Sequence, residues 1–540
     1  SLSSAVYANA FVTGYYAPHD GGGGAYQYDP SDTTSTDNGG TIIVANDSAR
    51  WKLAFSGSLD VRQFGAKGDG VTDDTLSIQR ANDALLGSGG GNIYFSGAPV
   101  GVDGGRFVIN GVVVNTPNIM WHGTSSPNGG LLVQQPIYVN QSGFTSRFLD
   151  CQQSGTLNGI SSICFGIYST DLVLSDFLFE HCTFNGFFYS VDFFGVLDSL
   201  PNGDAAHVQN PIFNTRILYC KSTAPVGVDA GHFQHNSVYG CLVLGCETFN
   251  GQNASSYNFT HDCRDVKVIG NYDRNSTWGA CEIENSPLAN GVVTANTFDS
   301  AENTQNAAIW VDDSADVLVF GNVTQWYLRA SCANSTTNPS GLYPTEICPQ
   351  TQVSFNNNTC AHVILTEFGT YVSGNIRADV KDNTIFGSAT QAILTDMHYI
   401  GGEIDSNKVT GTITNFMQLV RTATLRVFVR GNNSNGVPPV VSGSGGTIIA
   451  HDNDSSWADQ TETNLQALNI TEGVVKMPSV EQAGIAGGGS ANFAFTTLEA
   501  IPQFSITAFD FRCLCRSAGT GADDYVKFSV LVTNESGTLI

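Results

Sequence analysis

Hydrophobic residues recur along most of this chain in short β-type runs, and many of these runs end at an asparagine. The runs VKVIGN, GVVTAN and VLVFGN end at Asn271, Asn296 and Asn322, in steps of 25 and 26 residues. The runs DVKDN, EIDSN and VFVRGN end at Asn383, Asn407 and Asn432, in steps of 24 and 25 residues. Several short strands per repeat and no helix predict a parallel β-helix, whose stacked coils bury one core and align equivalent asparagines. A β-sandwich with coincidental spacing is the other interpretation, and it explains the recurring asparagine less well.

A helical period occurs once, just before this repeat begins. Thr72 or Asp73 is suited to cap the helix, an apolar stripe runs from Leu76 to Leu86, and the GSGGG segment ends it. The patterns divide the chain into a Gly-rich neck segment (1–57), a β-helix cap with the amphipathic helix (58–100), a parallel β-helix with the catalytic site (101–454), a linker (455–475) and a small C-terminal β domain of sandwich type (476–540).

Composition narrows the function classes. The 540 residues carry a net charge of −25 with only 23 Lys and Arg, so nucleic acid and anionic membranes are unfavourable partners. The same charge favours neutral or weakly acidic glycans over strongly anionic polymers. No run reaches the roughly 18 apolar residues of a membrane span, so we expect no membrane insertion.

The 13 cysteines are an odd number, so at least one has no partner within the chain. Most lie in apolar, strand-like runs and are interpreted as buried thiols. Cys332 and Cys348 bracket a loop and are either a disulfide or two further thiols. Cys513 and Cys515 lack a second ligand pair, so they are interpreted as core rather than as a metal site.

The segment FGAKGDGVTDDT (64–75), followed by the helix and GGGNIYF (89–95), resembles the opening of the pectin-lyase-like right-handed parallel β-helix superfamily. With the Gly-rich segment before it, the chain is similar to bacteriophage tailspike depolymerases. That resemblance implies a homotrimer, attachment to other tail or baseplate proteins through an upstream head, and a place in the virion tail. It also implies cleavage of a bacterial surface polysaccharide, either O-antigen or capsule, at the host cell surface.

The strands that follow the asparagine corner align by their ends and predict a site on one face. One predicted column holds Asp192, His235, His261, Glu284, Asp312, Glu367 and Asp396. A second column, two residues earlier, holds Ser190, Phe233, Phe259, Glu282 and Trp310. Acids and histidines beside aromatic rings suit an extended glycan site, because pyranose faces stack on rings while sugar hydroxyls bond to carboxylates. Burial under a neighbouring subunit would also explain the aromatic residues.

Paired carboxylates on adjacent coils point to glycoside hydrolysis. We predict Glu284 or Glu282, together with Asp312, as the catalytic acid and base, because two carboxyl groups about 5–9.5 Å apart perform this reaction. The resemblance to tailspikes implies the inverting form. Predicted substrate-binding residues are Trp310, Phe259, Phe233, His261, His235 and Asp313, the last of which the strand alternation turns toward the corner.

Glu367 and Asp396 form a second-choice catalytic pair without a flanking aromatic residue. A metal at His261, Glu284 and Asp312 would lack a fourth ligand, so neither metal nor cofactor is expected. A polysaccharide lyase is the runner-up. Its β-elimination needs a cation to neutralise the uronate carboxylate, and the predicted face is short of Lys and Arg, with Arg329 the nearest candidate. A non-catalytic adhesin that only binds glycan is the third interpretation.

Overall fold

The computed structural model describes most of the β-helix, nearly all of the segment before it and two strands after it. The described residues are 3–97, 105–154, 163–169, 172–198, 207–224, 231–252, 254–286, 288–299, 307–332, 350–367, 374–451, 453, 506–516 and 523–533. Within them, no helix is long and apolar enough to cross a membrane. Cys348, which with Cys332 brackets the loop that is either disulfide-closed or not, lies outside these residues.

Parallel strands stack in three faces, as the repeat predicts. The long face is one sheet of fifteen strands: Ser58–Asp60, Gly91–Tyr94, Ile119–His122, Thr145–Arg147, Leu174–Glu180, Ile212–Leu218, Val238–Leu244, Arg264–Ile269, Gly291–Thr294, Val317–Phe320, Gln350–Asn356, Asn375–Lys381, Tyr399–Asp405, Arg426–Arg430 and Thr447–His451. The predicted parallel β-helix is therefore confirmed.

The second face is made of short strands that follow the asparagine corner: Asp150–Gln153, Thr183–Asn185, Lys221–Thr223, Glu247–Phe249, Tyr272–Arg274, Thr297–Asp299, Val323–Thr324, Thr359–Cys360, Thr384–Ile385 and Lys408–Val409. The third, called the site face below, comprises Ile163–Ser169, Tyr189–Asp198, Phe233–Asn236, Tyr257–Thr260, Cys281–Glu284, Ile309–Asp312, Tyr327–Ser331, His362–Leu365, Ala389–Thr395, Ile413–Arg421 and Val440–Gly443. Two long strands, Phe107–Val114 and Leu131–Val139, begin these two faces, and His207–Asn210 pairs antiparallel with the end of Tyr189–Asp198.

The asparagine corner is a continuous hydrogen-bonded ladder. Asn296 Nδ2 donates to Asn322 Oδ1 at 2.9 Å and to the carbonyl oxygen of Val268 at 3.0 Å. The same pattern continues through Asn358, the member that the sequence pattern missed. Each asparagine thereby satisfies buried backbone groups of its neighbours, which explains the recurrence of this residue at the corner.

Cysteines continue this corner on the N-terminal side. Cys246 donates its backbone N–H to Asn271 Oδ1 at 2.8 Å, and Cys246 Sγ lies 3.4 Å from the carbonyl oxygen of Ile217. The cysteines of the described coils are buried free thiols: Cys151, Cys164, Cys182, Cys220, Cys241, Cys246, Cys263, Cys281, Cys332 and Cys360. The interpretation of these cysteines as core is confirmed.

Separate elements flank the coils. The neck contains a four-stranded antiparallel sheet of Asn9–Val12, Gly24–Tyr28, Arg50–Leu53 and Ile42–Val44, in that spatial order. The predicted helix spans Thr75–Ala84 between short 3₁₀ turns at Val61–Phe64 and Leu86–Ser88. At the C-terminal end, Ile506–Arg516 and Asp523–Thr533 form an antiparallel pair, and the rest of the predicted C-terminal domain lies outside the described residues.

The helix begins later than its predicted cap, with Asp74 preceding its first turn. Ile78 and Ala81 are fully buried against the first coils, whereas Leu76 and Leu86 are largely exposed. The helix thus covers the open N-terminal end of the core with a narrower apolar stripe than the sequence predicts.

Candidate active site on the site face

The central register prediction is confirmed. Glu284 pairs with Asp312, and Glu282 pairs with Trp310, on neighbouring strands of the site face. Between them, Ile283 and Val311 pair and are fully buried. Because successive side chains of a strand alternate between faces, the two glutamates and their partners point away from the core.

The paired strands define two outward columns, which replace the two predicted ones and are called the first and second column from here on. The first column is Asp192, Gln234, Asn258, Glu282, Trp310 and Arg329. The second column is Phe194, Asn236, Thr260, Glu284, Asp312 and Ser331. Polar side chains fill all positions of both columns except Phe194 and Trp310, so a largely hydrophilic strip runs along these six strands.

The prediction that Phe233 and Phe259 belong to an outward-facing aromatic column is wrong. Phe233 and Phe259 are fully buried and belong to the inward rows of the site face. His235 is also fully buried, with its ring stacked between Phe193 at 5.0 Å and Phe259 at 4.7 Å. These three residues stabilise the core, since none has surface available to a ligand.

His261 and Asp313 occupy the corner after the strand rather than the columns. Both have left-handed backbone conformations, with φ of 59° and 42°. His261 Nδ1 lies 2.8 Å from Asn236 Nδ2 and 2.9 Å from Thr260 Oγ1, which holds the ring beside the second column. Asp313 is buried, at 7% exposure.

Two further members of the predicted columns were misplaced. Asp192 belongs to the first column, where its ladder partner is Gln234 rather than His235. Ser190 is buried, and its hydroxyl lies 2.7 Å from that of Ser222 on the second face.

Burial and mutual repulsion perturb the three central carboxyl groups. Desolvation raises the pKa of Asp312 to about 6, although the hydrogen bond from Ser331 and the charge of Arg329 both lower it. Desolvation also raises the pKa of Glu282 to about 7, with Asp312 adding repulsion and the Ser255 hydroxyl opposing both.

Glu284 experiences the strongest effect. Desolvation raises its pKa well above the ordinary value, and the charges of Glu282, Asp312 and Asp313 raise it further. Its amide neighbour Asn285 donates to Glu284 Oε1 at 3.1 Å. At neutral pH the site therefore favours a protonated Glu284 beside an ionised Asp312.

Asp312 is held by a short hydrogen-bonded chain. The Ser331 hydroxyl donates to Asp312 Oδ1 at 2.5 Å and accepts from the indole Nε1 of Trp310 at 2.6 Å. The Arg329 guanidinium lies 5.1 Å from the centre of the Trp310 ring. Trp310 is only 4% exposed, so its ring positions Ser331 and is not the open sugar platform that was expected.

The first column contains Asp192, which the strand pattern predicts on this face, together with Gln234 and Asn258, which it does not. Asp192 accepts a hydrogen bond from Tyr168 Oη at 2.9 Å, and burial raises its pKa to about 6. Gln234 Oε1 and Asn258 Oδ1 are buried acceptors without a hydrogen-bond partner among the described residues. The register of these strands places Gln234 and Asn258 in the column, each one residue away from the member of that column that the sequence suggests.

The second-choice pair does not continue the second column as predicted. The last paired residues of these two strands are Leu365 and Thr395. Glu367 lies two residues after Leu365, whereas Asp396 lies one residue after Thr395. The two acids nevertheless meet in the following turn, where the Glu367 N–H donates to Asp396 Oδ2 at 2.6 Å. His398, which the sequence analysis did not select, lies beside both carboxylates.

A separate open depression of about 280 Å³ lies on the second face. Lys221, Phe249 and Arg274 contribute to its lining. It contains none of the predicted site residues, and Lys221 is already engaged with Glu247 and with the Phe249 ring.

Comparison with known proteins gives likenesses to phage tail proteins. Residues 3–56 match the family model of the phage tail protein small four-stranded beta-sheet domain, the segment that forms the four-stranded sheet here. A Mu-like prophage FluMu defective tail fiber protein of Haemophilus influenzae is 43% identical over 75 residues, which is 14% of this chain and 12% of that protein.

Two longer likenesses cover most of the chain. The pre-neck appendage protein of Bacillus phage phi29 is 23% identical over 511 residues, covering 86% of this chain and 52% of that protein. The chain thus spans about half the length of that relative. Among solved structures, the enzymatically active domain of bacteriophage CBA120 tailspike protein 2 is 13% identical with a TM-score of 0.38, covering 78% of this chain and 54% of that one.

The matched neck sheet and the stacked parallel coils agree with what the opening motif implied. The match over residues 3–56 and the likeness to a phage appendage protein agree with the resemblance of the chain to phage tail proteins.

Proposed function

We propose that this chain binds a bacterial surface polysaccharide, O-antigen or capsule, and cleaves it by hydrolysis at the host cell surface. The observation that carries the proposal is the outward pairing of Glu284 with Asp312 on adjacent coils. Two carboxyl groups with unequal proton affinity, placed on one hydrophilic strip, are what glycoside hydrolysis requires.

Glu284 is assigned as the general acid and Asp312 as the general base. Protonated Glu284 donates its proton to the glycosidic oxygen as the bond to the anomeric carbon breaks. Ionised Asp312 takes a proton from water, whose oxygen forms the new bond to that carbon. The Ser331 hydroxyl bond lowers the pKa of Asp312 and keeps this carboxyl ionised beside its neighbours.

Single displacement by water inverts the anomeric configuration, in keeping with the resemblance to tailspikes. The anomer formed first, followed by proton NMR during digestion, tests this step. A first product of retained configuration would replace it with a double displacement through a glycosyl-enzyme intermediate.

The first column supplies the binding strip for the rest of the glycan. Gln234 and Asn258 are partly exposed and present amide side chains to sugar hydroxyls, and Glu282 is anchored by the Ser255 hydroxyl at 2.9 Å.

Two variants test the catalytic assignment. Glu284→Gln and Asp312→Asn are each expected to lower the rate of reducing-end release from a cleavable polysaccharide by about 10²–10⁴-fold. Glu247→Gln is the matched control, because Glu247 is an exposed acid of the second face. Near-normal activity in both site variants would refute the assignment.

A polysaccharide lyase is the second candidate, and Arg329 favours it. This residue continues the first column directly beyond Trp310, where the charge of Asp312 acts on it. A cation at that position would neutralise a uronate carboxylate before β-elimination. New ultraviolet absorbance from an unsaturated uronate, without new saturated reducing ends, would establish the lyase, and unchanged polymer would indicate a non-catalytic adhesin.

Assembly into a homotrimer and attachment to other tail or baseplate proteins through a preceding segment belong to the same proposal. The matched four-stranded neck domain supports a tail-proximal N-terminal end. Light scattering coupled to size-exclusion chromatography measures the oligomeric state, and a monomer at micromolar concentration would contradict the trimer.

A further inference from the structure

Glu367, Asp396 and His398 converge in a turn beyond the proposed catalytic pair. Glu367 follows the strand His362–Leu365, and the other two follow Ala389–Thr395 on the next coil. One ligand atom of each side chain lies within 4.8 Å of the others. Two carboxylates and one imidazole from consecutive coils thus surround a common point.

The imidazole is placed unusually for a surface histidine. The His398 side chain is only 9% exposed, and its Nδ1 makes no hydrogen bond among the described residues. That buried nitrogen lies 3.5 Å from Glu367 Oε2 and 3.4 Å from Asp396 Oδ1. These separations exceed a good N–H···O hydrogen bond.

The same separations match the edges of a metal coordination sphere. Bonds of about 2.0–2.1 Å in a tetrahedral zinc site place neighbouring ligand atoms about 3.3–3.4 Å apart. The partly exposed Glu367 and Asp396 side chains, at 21% and 30%, leave a route for an ion from solvent.

Backbone groups already fix the central ligand. Asp396 Oδ2 accepts from the Glu367 N–H at 2.6 Å, and Asp396 Oδ1 accepts from the His398 N–H at 2.8 Å. Each oxygen keeps a further lone pair, and the carboxylate is held without help from a metal. Such outer contacts orient the ligands of metal sites.

We propose that Glu367, Asp396 and His398 bind one divalent transition-metal ion of the zinc type, in a site separate from the Glu284–Asp312 pair. Imidazole nitrogen is a ligand for zinc and its neighbours, whereas calcium and magnesium prefer oxygen. Two carboxylates match the double charge of the ion. Three protein ligands leave a coordination position for water or a sugar hydroxyl.

The site borders the proposed glycan strip. Arg329 Nη2 donates to the Glu367 carbonyl oxygen at 3.2 Å, and the charges of Asp312 and Asp396 both act on this guanidinium. A bound ion would therefore lie past Arg329, toward the C-terminal end of the strip.

Isothermal titration of the chelator-treated full chain with zinc chloride tests the proposal, with calcium chloride as the comparison. We expect one zinc ion per chain and at least tenfold weaker binding of calcium. Zinc affinity is expected to fall at least tenfold in Glu367→Gln and in His398→Gln. Melting temperature, measured with and without zinc, provides a second readout because an ion bound to the folded state stabilises it.

His362→Gln is the matched control. His362 is likewise a buried histidine whose Nδ1 has no hydrogen-bond partner among the described residues, but it does not belong to the acidic cluster. Its zinc affinity is expected to equal that of the unmodified chain. Circular dichroism checks folding, and Glu367→Gln keeps the test decisive if the His398 variant misfolds, since Glu367 is more exposed.

Three results would overturn the proposal. Zinc affinity unchanged in Glu367→Gln would show that any bound ion lies elsewhere. An absence of zinc binding would show that these three side chains hold no transition-metal ion. Calcium binding as tight as zinc binding would reject the transition-metal assignment.

Discussion

The asparagine ladder gives a stability prediction that can be derived bond by bond. Asn322 lies near its centre, at the corner between the strands Val317–Phe320 and Val323–Thr324. Its Oδ1 accepts from the Asn296 backbone N–H at 3.0 Å and from Asn296 Nδ2 at 2.9 Å. Its Nδ2 donates to the Val293 carbonyl oxygen at 2.8 Å and to Asn358 Oδ1 at 3.0 Å.

Asn322→Ala removes these four hydrogen bonds. The Asn296 backbone N–H and the Val293 carbonyl oxygen lose their bonds to Asn322. In contrast, Asn296 Nδ2 keeps its bond to the Val268 carbonyl oxygen, and Asn358 Oδ1 still accepts from the residue 322 backbone N–H at 2.9 Å. Each of the two buried groups left without these bonds costs about 1–3 kcal/mol, so we expect the free energy of unfolding to fall by about 2–6 kcal/mol.

Urea unfolding followed by circular dichroism measures this change. Asn375→Ala is the control, because Asn375 is exposed at the start of a long-face strand. Its substitution is expected to alter the free energy of unfolding by less than about 0.5 kcal/mol. A loss below about 1 kcal/mol in Asn322→Ala would refute the reasoning and show that the ladder aligns the coils without stabilising them.

Two further predictions use the perturbed pKa values. Ser331→Ala removes the hydroxyl that lowers the pKa of Asp312, so the acidic limb of the activity profile should move to higher pH, whereas Ser331→Thr should preserve it. An unmoved limb in Ser331→Ala would exclude Asp312 as the group that must ionise. Burial lowers the pKa of His235 to about 3, so below about pH 6.5 the unfolded chain binds a proton that the folded chain excludes, and stability falls. Between pH 7 and pH 5, the free energy of unfolding of the unmodified chain should therefore fall by about 2 kcal/mol more than that of His235→Leu. Equal falls for the two proteins in urea titrations would contradict this explanation.

The repeat and its corner could be predicted from the sequence because they are local and periodic. Equivalent asparagines recur in steps near 25 residues, and the same residue type is required wherever a coil must satisfy buried backbone groups of the next. Asn358 was missed because it follows Asn322 by 36 residues, and the longer step breaks the period.

The pairing of Glu284 with Asp312 could also be predicted, because CEIE and IWVD are neighbouring strands of equal length. Their ends coincide in the structure, so Glu284 and Asp312 meet as expected. The preceding strands could not be aligned in that way. Tyr257–Thr260 ends one residue before His261, and Phe233–Asn236 ends one residue after His235.

A slip of one residue reverses every side chain of a strand, since alternate residues point to opposite faces. That slip is why Phe233, Phe259 and His235 were expected outside and are found in the core. The sequence by itself determined the solenoid, the corner ladder and the acidic pair, because each follows from short-range pattern. Only the tertiary structure decided which face each remaining side chain occupies, and only it brought His398 against Glu367. The turn lengths between coils determine both the register of each strand and the place where these two residues meet.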